Sequence, residues 1–448
     1  MPRPDTTPGP QVGPSIADVL AEHRGAGSPR KTAARVAEVI EARGDDGTWI
    51  TYVGRDALLG QAGVSWSPDV PLYGVPFAVK DSIDVAGQPT TLACPDFAYV
   101  AETTAPAVQR LLDAGALYVG KTNLDQLATG LNGTRTAYTI PRSVYGNDLI
   151  SGGSSSGSAL AVALGEVPFA VATDTAGSGR VPAALNGIVG FKPSRGVISA
   201  VGLVPACKSL DCVTLMAGTV ADIRTVFDVI AAPDDGYEWS RARGPAYDGR
   251  ELRIGLPPGD QLSFFGDEPM RIAHTRARET IADDFKTVEV SLRPFLAAGE
   301  LLYQGPWVAE RLVEFEDLLT ESPESIHPVV REILRSGYKF TAIEAFRAQQ
   351  QLQVLKFEVA RLWRDMDVMV VPTIGTTFTV EEVLANPIGC NTMLGHYTHF
   401  GNLLDLVGIS VPAGLTEDGR PASVMVLGPA LSDDTVLHVA AALQASLQ

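Results

Sequence analysis

The chain has 448 residues, of which 45% are hydrophobic and 19% charged, enough apolar material for a large buried core. Its formal net charge of −17 argues against nucleic acid or an anionic membrane as the main partner, since both reward clustered Lys and Arg. The four cysteines, Cys94, Cys207, Cys212 and Cys390, lack the CxxC spacing of a zinc ribbon or thioredoxin-like motif, and the expectation is reduced structural thiols in a cytoplasmic protein.

In chain order, "MPRPDTTPGPQVGPS" has no apolar core of signal-peptide length, so residues 1–14 are expected to form a disordered tail. Residues 15–70 read as an N-terminal helical segment ("SIADVLAEH", "KTAARVAEVIEAR") that also carries the strand "TWITYV". From 71 onward helix and strand alternate. "LYGVPFAVKDSIDVAG" is a β-rich apolar run that delivers Lys80 and Asp81 to a strand end. "APAVQRLLDAGALYVGKTN" reads as a helix, Gly115 and a strand, and "SALAVALGEVPFAVATDTAGSG" repeats that order. The apolar part of this last stretch is broken by Glu166 and Pro168 and is too short to span a bilayer. Gly, Pro, Asp and Arg dominate from about Pro233 to Pro257, and amphipathic helix prevails from there to about Arg364. Residues 233–364 are therefore expected to be a mostly helical insertion or lid, after which "MDVMVVPT" and "SVMVLGP" resume the buried-strand pattern. The fold class predicted is α/β, a mixed β-sheet core covered by helices on both faces, with a single catalytic domain over 71–448.

Two glycine–serine elements each open onto a helix. "ISGGSSSGS" could be a flexible linker by composition, but "ALAVALG" follows it directly, which puts Ser154 and its neighbours at a helix N-terminus. "TDTAGSGRVPAALNG" follows the strand "PFAVA" in the same way. Its turn around Ala176 and Gly177 can aim several N–H groups at one point beside Ser178, which reads either as a nucleophile with an oxyanion hole or as a plain helix cap. It is not a GxSxG elbow. None of the six histidines lies in a comparable stretch; His396 and His399 could form a metal pair, but no nearby carboxylate cluster completes it, and packing is the simpler role. Lys80 remains as a base if burial depresses its pKa, with a salt bridge to Asp81 or Asp84 as the alternative. Further on, Val308, Leu312, Phe315 and Leu319 make one apolar helical stripe flanked by Arg311, which reads as a snorkelling cation or a partner of Glu314.

In residue type, order and spacing, "GVPFAVKD", "GGSSSGSA" and "TDTAGSGR" resemble the amidase signature family. The resemblance implies Ser178 as nucleophile, Lys80 as general base and Ser154 as the bridging residue in the cis-serine position. The N–H groups of Thr175, Ala176, Gly177 and Ser178 would supply the oxyanion hole, with no metal and no cofactor. "LATGLNGTRT", "GLVPACKSLDCVTL", "LLYQGPWVAERL", "HPVVREIL" and "DVMVVPT" are similar to the branch of that family acting on allophanate. That implies a small anionic amide substrate whose carboxylate is held by Tyr303 and Arg311, with Gly130 lining the same pocket. The expected products are ammonia and N-carboxycarbamate, in urea or s-triazine nitrogen catabolism, by a cytoplasmic homodimer. Members of this branch commonly carry a smaller C-terminal domain that does not follow within these 448 residues, so the sequence is either a piece of a longer protein or one that leaves that step to a separate partner protein. The alternatives are a biuret or malonamate amidase, an amidotransferase A-type subunit, or a non-catalytic scaffold.

Overall fold

This computed structural model describes residues 9–447 apart from 26, 65, 66, 147 and 304, and the side chain of residue 303 also lies outside the description. In chain order the strands are β1 (Trp49–Tyr52), β2 (Pro76–Lys80), β3 (Pro89–Thr90), β4 (Tyr99–Val100), β5 (Leu117–Thr122), β6 (Phe169–Asp174) and β7 (Val189–Lys192). They continue with β8 (Cys212–Ala217), β9 (Ile254–Leu256), β10 (Thr287–Glu289), β11 (Val368–Pro372), β12 (Val407–Leu415) and β13 (Pro421–Gly428). Eleven of them form one sheet in the order β1-β5-β2-β6-β8-β7-β12-β13-β11-β9-β10, while β3 and β4 pair separately. The sheet is mixed: β2 runs parallel to β5 and β6, β9 runs parallel to β11 and β10, and the remaining pairs are antiparallel.

Every residue of β2, β5 and β6 is buried, which explains why these strands read as continuous apolar runs rather than alternating ones. Phe77 stacks on Phe169 across the β2–β6 pair, with ring centroids 5.5 Å apart. The helix Ser156–Ala163 is buried along its whole length, so it carries no polar face. Its small residues let it approach closely; a Cβ on Gly157 would lie 2.2 Å from the Thr48 carbonyl oxygen. Lys80 and Asp174 stand at the carboxyl ends of the adjacent parallel strands β2 and β6, the edge where α/β sheets place their chemistry.

Three expectations change. Of the tail 1–14, residues 1–8 lie outside the described residues, but Gly9 and Gln11 donate backbone N–H bonds to the Val144 and Ala163 carbonyls, so the chain from residue 9 lies on the body. The segment 15–70 is not separate from the core, because β1 pairs with β5 in the main sheet. The stretch 233–364 is mostly helical from Arg293 to Leu362, yet it also contributes β9 and β10 to the sheet edge. All four cysteines are unpaired and buried. Among the described residues no helix is long and apolar enough to cross a membrane.

Candidate active site

Lys80 is fully buried, and its Nζ lies 2.7 Å from Ser154 Oγ and 2.7 Å from Thr173 Oγ1. The alternative ion pairs are occupied otherwise. Asp81 is bound by Lys121 at 3.1 Å and by Thr91, while Asp84 accepts from Thr90 and from the Tyr99 hydroxyl, each at 2.8 Å. Burial pulls the Lys80 ammonium down to about 7, against the opposing pull of Asp125, Asp174 and Asp211. Near neutral pH this lysine therefore holds a lone pair within reach of a serine hydroxyl.

The glycine–serine stretch is not a linker, since residues 151–158 are all buried. The Gly153–Ser154 peptide is cis. The Asp125 N–H donates to the Ser154 carbonyl at 3.0 Å, and the Asp125 carboxylate accepts the N–H groups of Asn132, Gly133 and Arg135 at 3.2, 3.0 and 3.0 Å. Asp125 thus ties down two loops, the one carrying Ser154 through its backbone N–H and the one following Gly130 through its carboxylate. Glycine is required at both, because a Cβ on Gly153 or Gly130 would come within 2.1 or 2.4 Å of Asp125 Oδ2. Ser155 ties the stretch to its neighbours: its Oγ donates to the Thr173 carbonyl at 3.1 Å and its N–H to the Ser178 carbonyl at 3.4 Å.

Ser178 is 3% exposed, on a turn built around the Asp174–Arg180 ion pair, whose side chains are both fully buried. Arg180 reaches Asp174 through Nε and Nη2, each at 2.9 Å, and Nη2 also donates to Asn402 Oδ1 at 3.0 Å. Burial alone would raise the Asp174 carboxyl, but the Arg180 charge and hydrogen bonds, the Lys192 charge and the Gly177 N–H outweigh it and hold the group at about 2. This corrects one expectation about the oxyanion hole. The Gly177 N–H donates to Asp174 Oδ1 at 2.7 Å, so of the four expected donors Thr175, Ala176 and Ser178 remain. The role of Gly177 is conformational: its φ is +127°, and a Cβ there would meet Thr398 Oγ1 at 2.3 Å.

Arg311 is 2% exposed and so does not snorkel. The expected helix is jointed at this residue, between Trp307–Glu310 and Leu312–Glu321, with the stripe Val308, Leu312, Phe315 and Leu319 buried as expected. Its Nη1 donates to Thr129 Oγ1 at 2.8 Å, directly before Gly130. Its charge also acts on Asp211, which accepts the Thr175 hydroxyl and the Ala206 and Cys207 N–H groups. Burial lifts Asp211 to about 6 in spite of those partners. The Thr175 hydroxyl that Asp211 accepts stands on the turn that carries Ser178. Tyr303 ends the helix Arg293–Tyr303, and its side chain lies outside the described residues. His396 sits edge-on to Phe265 and Tyr397 with its pKa lowered by burial, and burial holds His399 at about 3.

Four residues of the site escaped sequence reasoning: Thr173, Asp125, Asp211 and Thr129. Thr173 meets Lys80 through the parallel register, which pairs Val79 with Val171 and carries Lys80 toward the end of "FAVATD". The other three contact the site through loops whose course no periodicity reveals.

A buried lysine of depressed pKa against a serine, beside a second serine on a buried turn, defines with this sheet a hydrolytic enzyme of the amidase class. The chain belongs to the amidase family, whose pattern, described as Amidase, matches residues 56–437. It is 39% identical over 451 residues to the urea amidolyase of Saccharomyces cerevisiae, covering 97% of this chain and 24% of that protein. The chain thus spans about a quarter of that relative's length. The solved structure of Kluyveromyces lactis allophanate hydrolase superposes with a TM-score of 0.91 at 38% identity, over 97% of this chain and 73% of that one. The A-type subunit of the glutamyl-tRNA(Gln) amidotransferase of Symbiobacterium thermophilum is 33% identical over 84% of this chain and 83% of its own length.

Proposed function

We propose that this amidase hydrolyses the terminal amide of allophanate, a urea bearing a carboxylate, to ammonia and N-carboxycarbamate. The observation that carries the reaction is the contact of buried Lys80 with Ser154, at a lysine pKa of about 7. Uncharged Lys80 takes the proton of Ser154 as Ser154 takes that of Ser178, and Ser178 Oγ attacks the carbonyl carbon. The N–H groups of Thr175, Ala176 and Ser178 meet the negative oxygen of the tetrahedral intermediate. The C–N bond then breaks as the relay returns its proton to the departing nitrogen, and ammonia leaves. Water attacks the acyl-serine through the same relay and frees the second product.

The substrate assignment rests on Arg311, a buried cation beside Thr129 and the Gly130 turn, together with the similarity to allophanate hydrolase. Arg311, with Tyr303 and the Gly130 turn, holds the substrate carboxylate, for which a planar guanidinium is suited. The acidic net charge and the unpaired thiols support a cytoplasmic setting in urea or s-triazine nitrogen catabolism. The likeness to an amidotransferase A-type subunit over most of both chains supports a second reading, hydrolysis of glutamine to feed ammonia to a tRNA-bound acyl group.

Initial rates of ammonia release from allophanate, biuret, malonamate, urea and glutamine separate these. Allophanate should show the highest kcat/KM. Arg311→Ala should lower that value about a hundredfold, mainly through KM, while leaving uncharged biuret within about twofold. An unchanged kcat/KM for allophanate in Arg311→Ala rules out the substrate assignment, and a preference for glutamine favours the second reading.

A further inference from the structure

Residues 206–211, in the loop that leads into β8, are bonded to two separate parts of the site. One is the turn that carries Ser178. Asp211, buried at the end of the loop, accepts the Thr175 hydroxyl and the N–H groups of Ala206 and Cys207, the last two at 2.9 and 3.0 Å. Asn402 adds a second tie, its Nδ2 donating to the Asp174 carbonyl at 2.7 Å and to the Leu210 carbonyl at 3.0 Å. The other part is the short helix Trp307–Glu310, which ends directly before Arg311. The Ser209 N–H and hydroxyl both donate to the Glu310 carboxylate, at 2.7 and 2.6 Å, and the Cys207 thiol donates to the Trp307 carbonyl at 3.4 Å.

A helix of one turn has too few backbone bonds to hold its own direction. Of its four residues only Val308 is buried, and Pro306 before it gives no side-chain cap, so apolar packing attaches it at a single point. The two bonds from Ser209 supply the second point. Hydrogen bonds to an ionised carboxylate are roughly twice as strong as those between neutral groups, and two of them on one side chain also fix its orientation. Arg311 follows Glu310 by one peptide unit, so the place of the Glu310 backbone sets where the guanidinium begins.

We propose that Glu310 is a positioning residue for substrate selection: its bonds to Ser209 hold Arg311 in place relative to the Ser178 turn, although Glu310 itself touches no substrate. This rests on the allophanate reading above. It also gives two sequence motifs one purpose, since "GLVPACKSLDCVTL" supplies Ser209 and Asp211 while "LLYQGPWVAERL" supplies Glu310 and Arg311. The loop keeps its ties to the turn through Asp211 and Asn402 when Glu310 is changed, so Arg311 should loosen while Ser178 stays in place.

Steady-state constants for allophanate, together with the rate at which an uncharged fluorophosphonate labels Ser178, test this. Glu310→Gln should lower kcat/KM for allophanate about tenfold through KM, with kcat and the labelling rate within about twofold of native. Ser209→Ala should show the same pattern at about threefold, and Ser209→Thr, which keeps the hydroxyl, should restore native values. The double variant Ser209→Ala with Glu310→Gln should lose less than the product of the two single losses, as residues sharing one contact do. Where Arg311→Ala shows its expected loss, an unchanged KM in Glu310→Gln, or an equal fall in kcat and in labelling, overturns the proposal. An Arg311→Ala variant with native kcat/KM for allophanate removes the allophanate reading instead, and the role of Glu310 with it.

Discussion

Lys80 sits where its charged form is disfavoured, with two hydroxyls and no carboxylate in contact among the described residues. Because burial lowers its pKa from 10.5 to about 7, the proton acceptor is scarce in acid and present in base. The expected kcat/KM rises with pH through about 7 and levels above it. Thr173 Oγ1 favours the ammonium, so Thr173→Val should lower the Lys80 pKa further and move the acid limb to lower pH. The loss of positioning should also reduce kcat about tenfold. A pH–rate profile for the two proteins reads both effects; an unmoved limb would leave Thr173 a merely structural neighbour.

At the scale of elements, the turn after β6 depends on one ion pair with no access to water. Arg180→Met would leave Asp174 buried and charged without its main partner, a loss of about 3–5 kcal/mol in denaturant unfolding, and Asp174→Asn in the same chain should recover part of it. A single variant as stable as the parent would mean that the ion pair does not hold the turn. The strand end bearing Lys80, and the helices that follow both glycine–serine stretches, were legible in the sequence because unbroken apolar runs and helix starts are local signals. What depends on register or on loop course was not legible. Thr173 meets Lys80 only through the parallel pairing of β2 with β6, and Asp125 joins two loops around glycines that give no hint of their partner. The Gly177 N–H was assigned to the oxyanion hole from its position in a motif, whereas the carboxylate three residues before it takes that N–H. Strands β9 and β10 have three residues each, too few to show a period inside an otherwise helical stretch.

For the whole molecule, the eleven-stranded sheet takes strands from both ends of the chain, and within it the β2 and β6 ends bring Lys80 to Ser154, whose neighbour Ser155 donates to the Ser178 carbonyl. Arg311 comes from a helical stretch that reads as a lid in sequence, yet it is buried and bonded to Thr129, directly before Gly130. The N-terminal helices are likewise tied in, through β1 at the sheet edge. All of these parts serve one proposed event, the attack of Ser178 on the terminal amide of allophanate. It is read by the initial rate of ammonia release from allophanate by the native chain and by Ser178→Ala. Steady release is expected from the native chain, and a fall of at least about a thousandfold in the variant, whose fold is unchanged. Release by Ser178→Ala within tenfold of the native rate would refute that chemistry.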